Sequence, residues 1–200
     1  LTCAESPFIA TRFYINLRKI SQQYKHSFVY SGMKKQLSNK TIYHQMFLPQ
    51  PYTYLDFPLV GYKDKFFLTA IASSKCVDRF KSFIKSLLLK LFYGPGIKEI
   101  YLERREAINF FSSQSGFDLY GYGWDSIKSN DYSKEAIKSC YRGTVDDKLM
   151  VLSKYRFALC FENAVFPGYV TEKIFDALTA GCIPVYLGAL GIGDFVPAGC

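Results

Sequence analysis

FENAVFPGYVTEKIFDALTAGCIPVYLGA, residues 161–189, is the stretch on which the fold turns. It begins at the end of YRFALCF (155–161), a nearly continuous apolar run that reads as a buried strand of a parallel sheet. Such a strand delivers Glu162 and Asn163 to its C-terminal end, the edge at which open α/β sheets bind ligands. Gly168 lets the next loop turn tightly, and Thr171 stands where an N-cap would precede a helix from Glu172 to Ala180. Gly181 closes that helix as its C′ residue, and IPVYLG (183–188) is the following strand. Glu172 and Lys173 fall in the helix's first turn, beside unpaired N–H groups and the positive end of the dipole. That is an anion site, with a lysine placed against a phosphate. Glu172 either favours the helix start by its charge or accepts hydrogen bonds from sugar or ribose hydroxyls. Spacing alone favours the plainer reading, an ordinary capped helix.

Working outward, strand and helix keep alternating. FFLTAIA (66–72) reads as a second buried strand. From Val77 the apolar positions 77, 80, 83, 84, 87, 88 and 91 form a helical stripe that ends at Gly94-Pro95-Gly96, with Lys81, Lys85 and Lys90 off the stripe. A further helix is expected from Ile97 or Lys98 to Phe111, a strand at 117–121, a polar loop to about Thr144, and a short helix over Asp146–Ser153. The alternation predicts a parallel α/β sheet. Residues 1–62 read as an irregular, Tyr/Phe-rich part with a polar patch at Ser31–Thr41 and a loop broken by Pro49, Pro51 and Pro58. The expected boundary lies at Tyr62-Lys63, dividing 1–62 from 63–200. A chain that starts at Leu1 and stops at Cys200 reads as a fragment, and no apolar stretch reaches the roughly 20 residues that span a bilayer.

Lys and Arg number 25 against 17 Asp and Glu, so the net charge is +8, and aromatic residues make up 18% of the 200. Basic charge among many half-polar rings suits a protein that handles anions: phosphates, a membrane face or nucleic acid. The basic residues are dispersed among acidic neighbours rather than gathered in a stripe, which argues against nucleic acid. The six cysteines (3, 76, 140, 160, 182 and 200) include no CxxC pair, and Cys160 and Cys182 sit in apolar runs. Reduced, buried thiols are the expectation, which points to the cytoplasm. His26 and His44 are the sole histidines, and without HExxH no zinc site is expected.

The 161–189 stretch resembles the donor-binding signature of the α-1,3-fucosyltransferases, glycosyltransferase family ten: FEN, a few residues, YVTEK, then AG-x-(I/V)-PV-x-G. Here these are Phe161-Glu162-Asn163, Tyr169-Val170-Thr171-Glu172-Lys173, Ala180-Gly181 and Ile183-Pro184-Val185 with Gly188. IYLERREAINFF (100–111), FDLYGYGWD (117–125) and YRGTVDDK (141–148) resemble further elements of the family's bacterial branch, and Glu5-Ser6-Pro7 resembles its acceptor-domain ESP motif. The resemblance implies an α/β fold of the GT-B type: two Rossmann-like halves, both incomplete here, with 1–62 a partial acceptor side and 63–200 the donor-binding domain. It implies inverting transfer of L-fucose from GDP-fucose to a glycan hydroxyl, with α-1,3 linkage on a GlcNAc-type acceptor such as a lipopolysaccharide.

Carried over by position, Arg104 would contact the donor diphosphate, with Arg105 its rival should the alignment be off by one. Lys173 would bind the same diphosphate. Asn163, Tyr169 and Glu172 would line the nucleotide-sugar pocket, and Glu5 would be the general base. An inverting transfer needs such a base opposite the leaving group, and cations on the departing diphosphate. Two fixed cations do this without a divalent metal, no cofactor is implied, and no DxD triplet is present; Asp146-Asp147 reads as a helix start. Each residue has a plainer reading as well: Glu5 as a surface carboxylate, Arg104 paired with Glu103 or Glu106, Tyr169 in the core. Tyr122 and Trp124 could meet the nucleotide base, although packing is the simpler role for both. Ser74 stands where the family usually has Asn.

The 77–92 helix departs from the family. It reads either as a cover over one sheet face or as a basic amphipathic helix on an anionic membrane, near a glycolipid acceptor. The expected partners are therefore a nucleotide-sugar donor, an oligosaccharide or glycolipid acceptor and a peripheral membrane contact through 77–92, with no nucleic acid. The expected location is the cytoplasm at the inner membrane face, or the Golgi membrane in a eukaryote. Two alternatives stay open: a related transferase using another nucleotide sugar, and a non-catalytic remnant that binds a nucleotide sugar or glycan.

Overall fold

The structure, a computed structural model, describes residues 1–48, 60–74, 78–126 and 133–197. Pro49, Pro51, Pro58, Cys76, Val77 and Cys200 lie outside the described residues. The first segment holds helices α1 (Thr11–Ile15) and α2 (Leu17–Ser21) and strands β1 (His26–Val29) and β2 (Ile42–Gln45), which pair in parallel. This corrects the irregular reading of 1–62. The elements are four or five residues long, too short for a periodic signal to stand out.

The main sheet is built from β3 (Phe66–Ile71), β5 (Phe117–Tyr120), β6 (Tyr155–Phe161) and β8 (Ile183–Leu187). Its order is β5-β3-β6-β8, and every pairing is parallel. The chain therefore winds from β3 to one side, returns past it, and continues on the other side from β6. That reversal puts the topological switch point between β3 and β6, with a crevice outside their C-terminal ends.

The longer helices of this part are α3 (Arg79–Tyr93), α4 (Tyr101–Ser112), α5 (Lys134–Cys140), α6 (Lys148–Leu152) and α7 (Glu172–Thr179). Three expectations are corrected here. Lys98–Glu99 is not the start of a helix but a short strand, β4, paired antiparallel with β7 (Ala164–Val165). The expected polar loop to Thr144 contains α5, capped by the Ser133 hydroxyl, which accepts from the Ala136 N–H. Helix α3 does not lie over the sheet; it packs against α1 and the 31–36 turn. The expected start of α6 holds, since the Asp147 carboxylate caps it by accepting from the Met150 N–H at 2.9 Å.

The core that takes in Phe8, Tyr14, Leu17, Val29, Tyr30 and Met33 also takes in Leu89, Ile97, Ala164, Phe166 and Tyr169. The first segment is thus packed on the loop that follows β6. Gly168 is where the two meet: its φ is +73°, and an added Cβ would lie 2.3 Å from Ser31 Oγ. Among the described residues the cysteines are free thiols, with Cys140, Cys160 and Cys182 buried. Among them, too, no helix is long and apolar enough to cross a membrane.

Candidate functional site

At the C-terminal ends of β3 and β6 opens a cleft of about 290 Å³. Ile71, Ala72 and Ser73 continue β3 into it, Cys160 and Phe161 end β6 there, and Gly121-Tyr122 enter after β5. Four charged side chains converge on it: Arg104 from α4, Lys148 from α6, and Glu172 and Lys173 from α7. Arg105, the neighbouring arginine, is not in its lining.

The charges are held by a network rooted in Glu162. This carboxylate is fully buried, yet three donors satisfy it: the Thr171 N–H at 2.8 Å, the Thr171 hydroxyl at 2.6 Å and the Lys173 ammonium at 3.3 Å. A buried carboxylate persists only with such partners. Thr171 does stand at the N-cap position, but its hydroxyl makes no cap bond; it donates to Glu162 and accepts from Lys173 Nζ at 2.8 Å. The expected capping role of that side chain is corrected accordingly. Gly181, at φ +63°, ends the helix as its C′ residue, as the sequence predicts.

Lys173 Nζ also lies 3.4 Å from Glu172 Oε1, and Lys148 Nζ lies 3.7 Å from the same oxygen and 2.5 Å from Asp176 Oδ2. Burial works against ionisation of Glu172. Lys173, Lys148 and the residue's own backbone N–H outweigh it and hold this carboxyl below the usual carboxylate range. Burial likewise pushes the Cys160 thiol, on the cleft floor, up to about 12.

Arg104 stacks over the Tyr101 ring, with its guanidinium carbon 4.5 Å from the ring centroid, and its Nη1 lies 3.5 Å from Asn163 Oδ1. Tyr169 itself is buried and packs edge-on against Tyr30 at 5.0 Å, outside the cleft lining, so its ring belongs to the core.

Glu5 is exposed and is not part of the cleft lining. Its backbone carbonyl accepts from the Tyr14 hydroxyl, and the preceding carbonyl, of Ala4, accepts from Tyr30. Burial is the main cause that pushes the Tyr30 phenol far up. Trp124 is a core residue whose Nε1 donates to the Ala72 carbonyl, whereas Tyr122 is 70% exposed at the cleft. The packing role expected for Tyr122 is thus corrected.

Lys148 escaped sequence reasoning, as did the anchoring role of Glu162, which the sequence places at the ligand-binding edge without its partners. Lys148 was within the quoted YRGTVDDK run, and the signal for it was Asp147, whose capping role fixes Lys148 in the first turn of α6. The anchoring role carried no local signal, because the partners of Glu162 come from Thr171 and Lys173, nine and eleven residues on. Among the described residues, no group of three or more His, Cys, Asp or Glu is arranged to hold a metal ion.

Residues 101–199 match glycosyltransferase family 10 (fucosyltransferase), C-terminal part. An alpha-(1,4)-fucosyltransferase of Arabidopsis thaliana is 50% identical over 46 residues, covering 23% of this chain and 12% of the relative. GDP-fucose protein O-fucosyltransferase 3 of Xenopus tropicalis is 28% identical over 120 residues, covering 59% of this chain and 24% of the relative. The chain thus spans less than a quarter of the length of these curated relatives. A crystal structure of an alpha1,3-fucosyltransferase with GDP aligns at a TM-score of 0.43 and 23% identity, over 67% of this chain and 28% of that one.

Proposed function

We propose that this chain, which belongs to glycosyltransferase family 10 through its residues 101–199, binds GDP-fucose in the β3/β6 cleft and transfers fucose to a glycan hydroxyl. The observation that carries the proposal is the convergence of Arg104, Lys148 and Lys173 at the switch point of a parallel sheet. Three cations in a part-buried cleft suit the diphosphate of a nucleotide sugar, and more so its extra charge as it leaves. Lys148 thereby joins the two cations expected from the sequence. Glu172, held ionised by its lysines, is an acceptor for ribose or sugar hydroxyls. The exposed Tyr122 ring offers a face to the base.

In the reaction the acceptor oxygen attacks C1 of fucose as the C1–O bond to the diphosphate breaks. GDP departs with the bonding electrons, and the hydroxyl proton passes to Glu5, which approaches from the acceptor side. The product is an inverted, α-linked fucoside, α-1,3 on a GlcNAc-type acceptor. The cations of the protein face the diphosphate without a divalent metal, and the fold is completed as a GT-B pair of halves. Product analysis of the full-length protein with GDP-fucose and candidate oligosaccharides tests this. Arg104→Ala and Lys173→Ala should each lower turnover about 100-fold or more, and chelation should leave it unchanged. Near-wild-type rates in both variants would sink the assignment.

A second reading rests on the position of Glu5 outside the cleft lining: a protein that holds the nucleotide sugar without turning it over. Saturable GDP-fucose binding with no fucosylated product from any acceptor would favour it. Tighter binding of GDP-mannose or a UDP-sugar would instead move the proposal to another donor.

A further inference from the structure

Helix α3 is inside out. Its N-terminus is capped by Asp78, whose carboxylate accepts from the Phe80 and Lys81 N–H groups at 3.1 Å, so the helix starts cleanly. Towards the protein it turns Leu89, which is fully buried, along with Ser82, bonded to Glu99, and Lys85, whose ammonium donates to the Phe8 carbonyl at 2.7 Å. Towards solvent it turns Phe80, Phe83, Leu87 and Leu91, which are 72%, 67%, 56% and 75% exposed. At about 100° per residue these four lie within one sector about 80° wide, bounded by Phe83 and Leu91 and centred on Leu87. Lys90 falls beside Phe83 on one flank of that sector; Lys81 lies further round beyond Leu91, exposed and 3.3 Å from Asp78 Oδ2. From Arg79 to Tyr93 the helix contains four basic residues and no acidic one.

A continuous apolar face of this kind marks a contact surface. Which contact follows from the charges. Lysines on either side of it can lay their stems on the apolar surface and place their ammonium groups at the level of lipid phosphates. A second copy of the chain would instead set these lysines against one another.

We infer that α3 lies in the plane of an anionic lipid surface, with Phe80, Phe83, Leu87 and Leu91 in the acyl boundary and Lys81 and Lys90 on the headgroups. The Lys85–Phe8 bond fastens this helix three residues from Glu5, so a membrane-held α3 brings the acceptor-side segment to the lipid surface.

The test is flotation of the full-length protein with vesicles of phosphatidylcholine alone and of phosphatidylcholine mixed with phosphatidylserine. Phe83→Ser/Leu87→Ser/Leu91→Ser and Lys81→Glu/Lys90→Glu serve as variants. All these side chains face solvent, so GDP-fucose binding and the thermal midpoint act as folding controls. The wild type should float with the anionic vesicles. The apolar triple variant should lose about tenfold or more of that binding, and the charge variant should lose the preference for phosphatidylserine. Flotation that is absent in the wild type or unchanged in the triple variant overturns the inference. So does a concentration-dependent dimer abolished by the triple variant without any vesicle binding, which would assign the face to a second copy.

Discussion

Replacing Glu162 by Gln strikes the root of the charge network. The wild-type carboxylate takes a backbone N–H at 2.8 Å and a hydroxyl at 2.6 Å from Thr171, and an ammonium at 3.3 Å from Lys173. Hydrogen bonds to a charged group are worth about 1.5–3 kcal/mol each, and neutral ones about 1 kcal/mol. Glutamine keeps one acceptor oxygen, so one Thr171 bond survives in neutral form. Its NH₂ meets the second Thr171 donor and the Lys173 ammonium. The cost of stranding a buried charge, about 3–5 kcal/mol, applies only in part, since Lys173 retains Thr171 and Glu172. The expected loss is about 3 kcal/mol. At an m-value of about 2 kcal/mol/M, that moves the urea midpoint down by about 1.5 M. The assay is urea unfolding of the full-length protein, followed by far-ultraviolet dichroism and by Trp124 fluorescence. A loss below about 0.5 kcal/mol would refute the reasoning, because a carboxylate with three genuine donors cannot be neutralised so cheaply.

Lys148→Ala should lower turnover with GDP-fucose at least about tenfold through the lost charge at the diphosphate, measured by product formation beside the Lys134→Ala control on the outer surface. Gly168→Ala forces a side chain onto a backbone at φ +73° and a Cβ to within 2.3 Å of Ser31 Oγ. It should cost about 2 kcal/mol or more, whereas Gly193→Ala, with nothing within 4 Å of its added Cβ, should stay within about 0.5 kcal/mol. Paired thermal melts check both. The lowered carboxyl of Glu172 contributes stability that is fully present above the ordinary carboxylate range and is lost as pH falls below it, through the depressed folded value. Urea midpoints taken from neutral to acid pH should therefore fall less steeply in Glu172→Gln than in the wild type over that acid window.

The donor half was legible because its elements announce themselves locally. YRFALCF is a strand by composition, and the Gly181 end of α7 is a backbone requirement that one residue states. What escaped was set by distant partners. Glu162 is held by a helix start that only the fold brings back to it. The Thr171 hydroxyl could cap α7, but the buried carboxylate competes for it and wins. Residues 1–48 read as irregular because four- and five-residue elements leave no period, and their core is completed by Leu89, Phe166 and Tyr169 from elsewhere in the chain. Helix α3 was legible as a helix, yet which way its stripe faced depended on α1 and the Phe8 carbonyl, which its own sequence does not encode.

Titration calorimetry of the full-length protein with GDP-fucose tests the central claim most directly, with the wild type compared against Lys173→Ala. The account predicts saturable binding at one site per chain that weakens about tenfold or more when the ammonium is removed. Equal affinity in the two proteins, or no binding of GDP-fucose by the wild type, would contradict it.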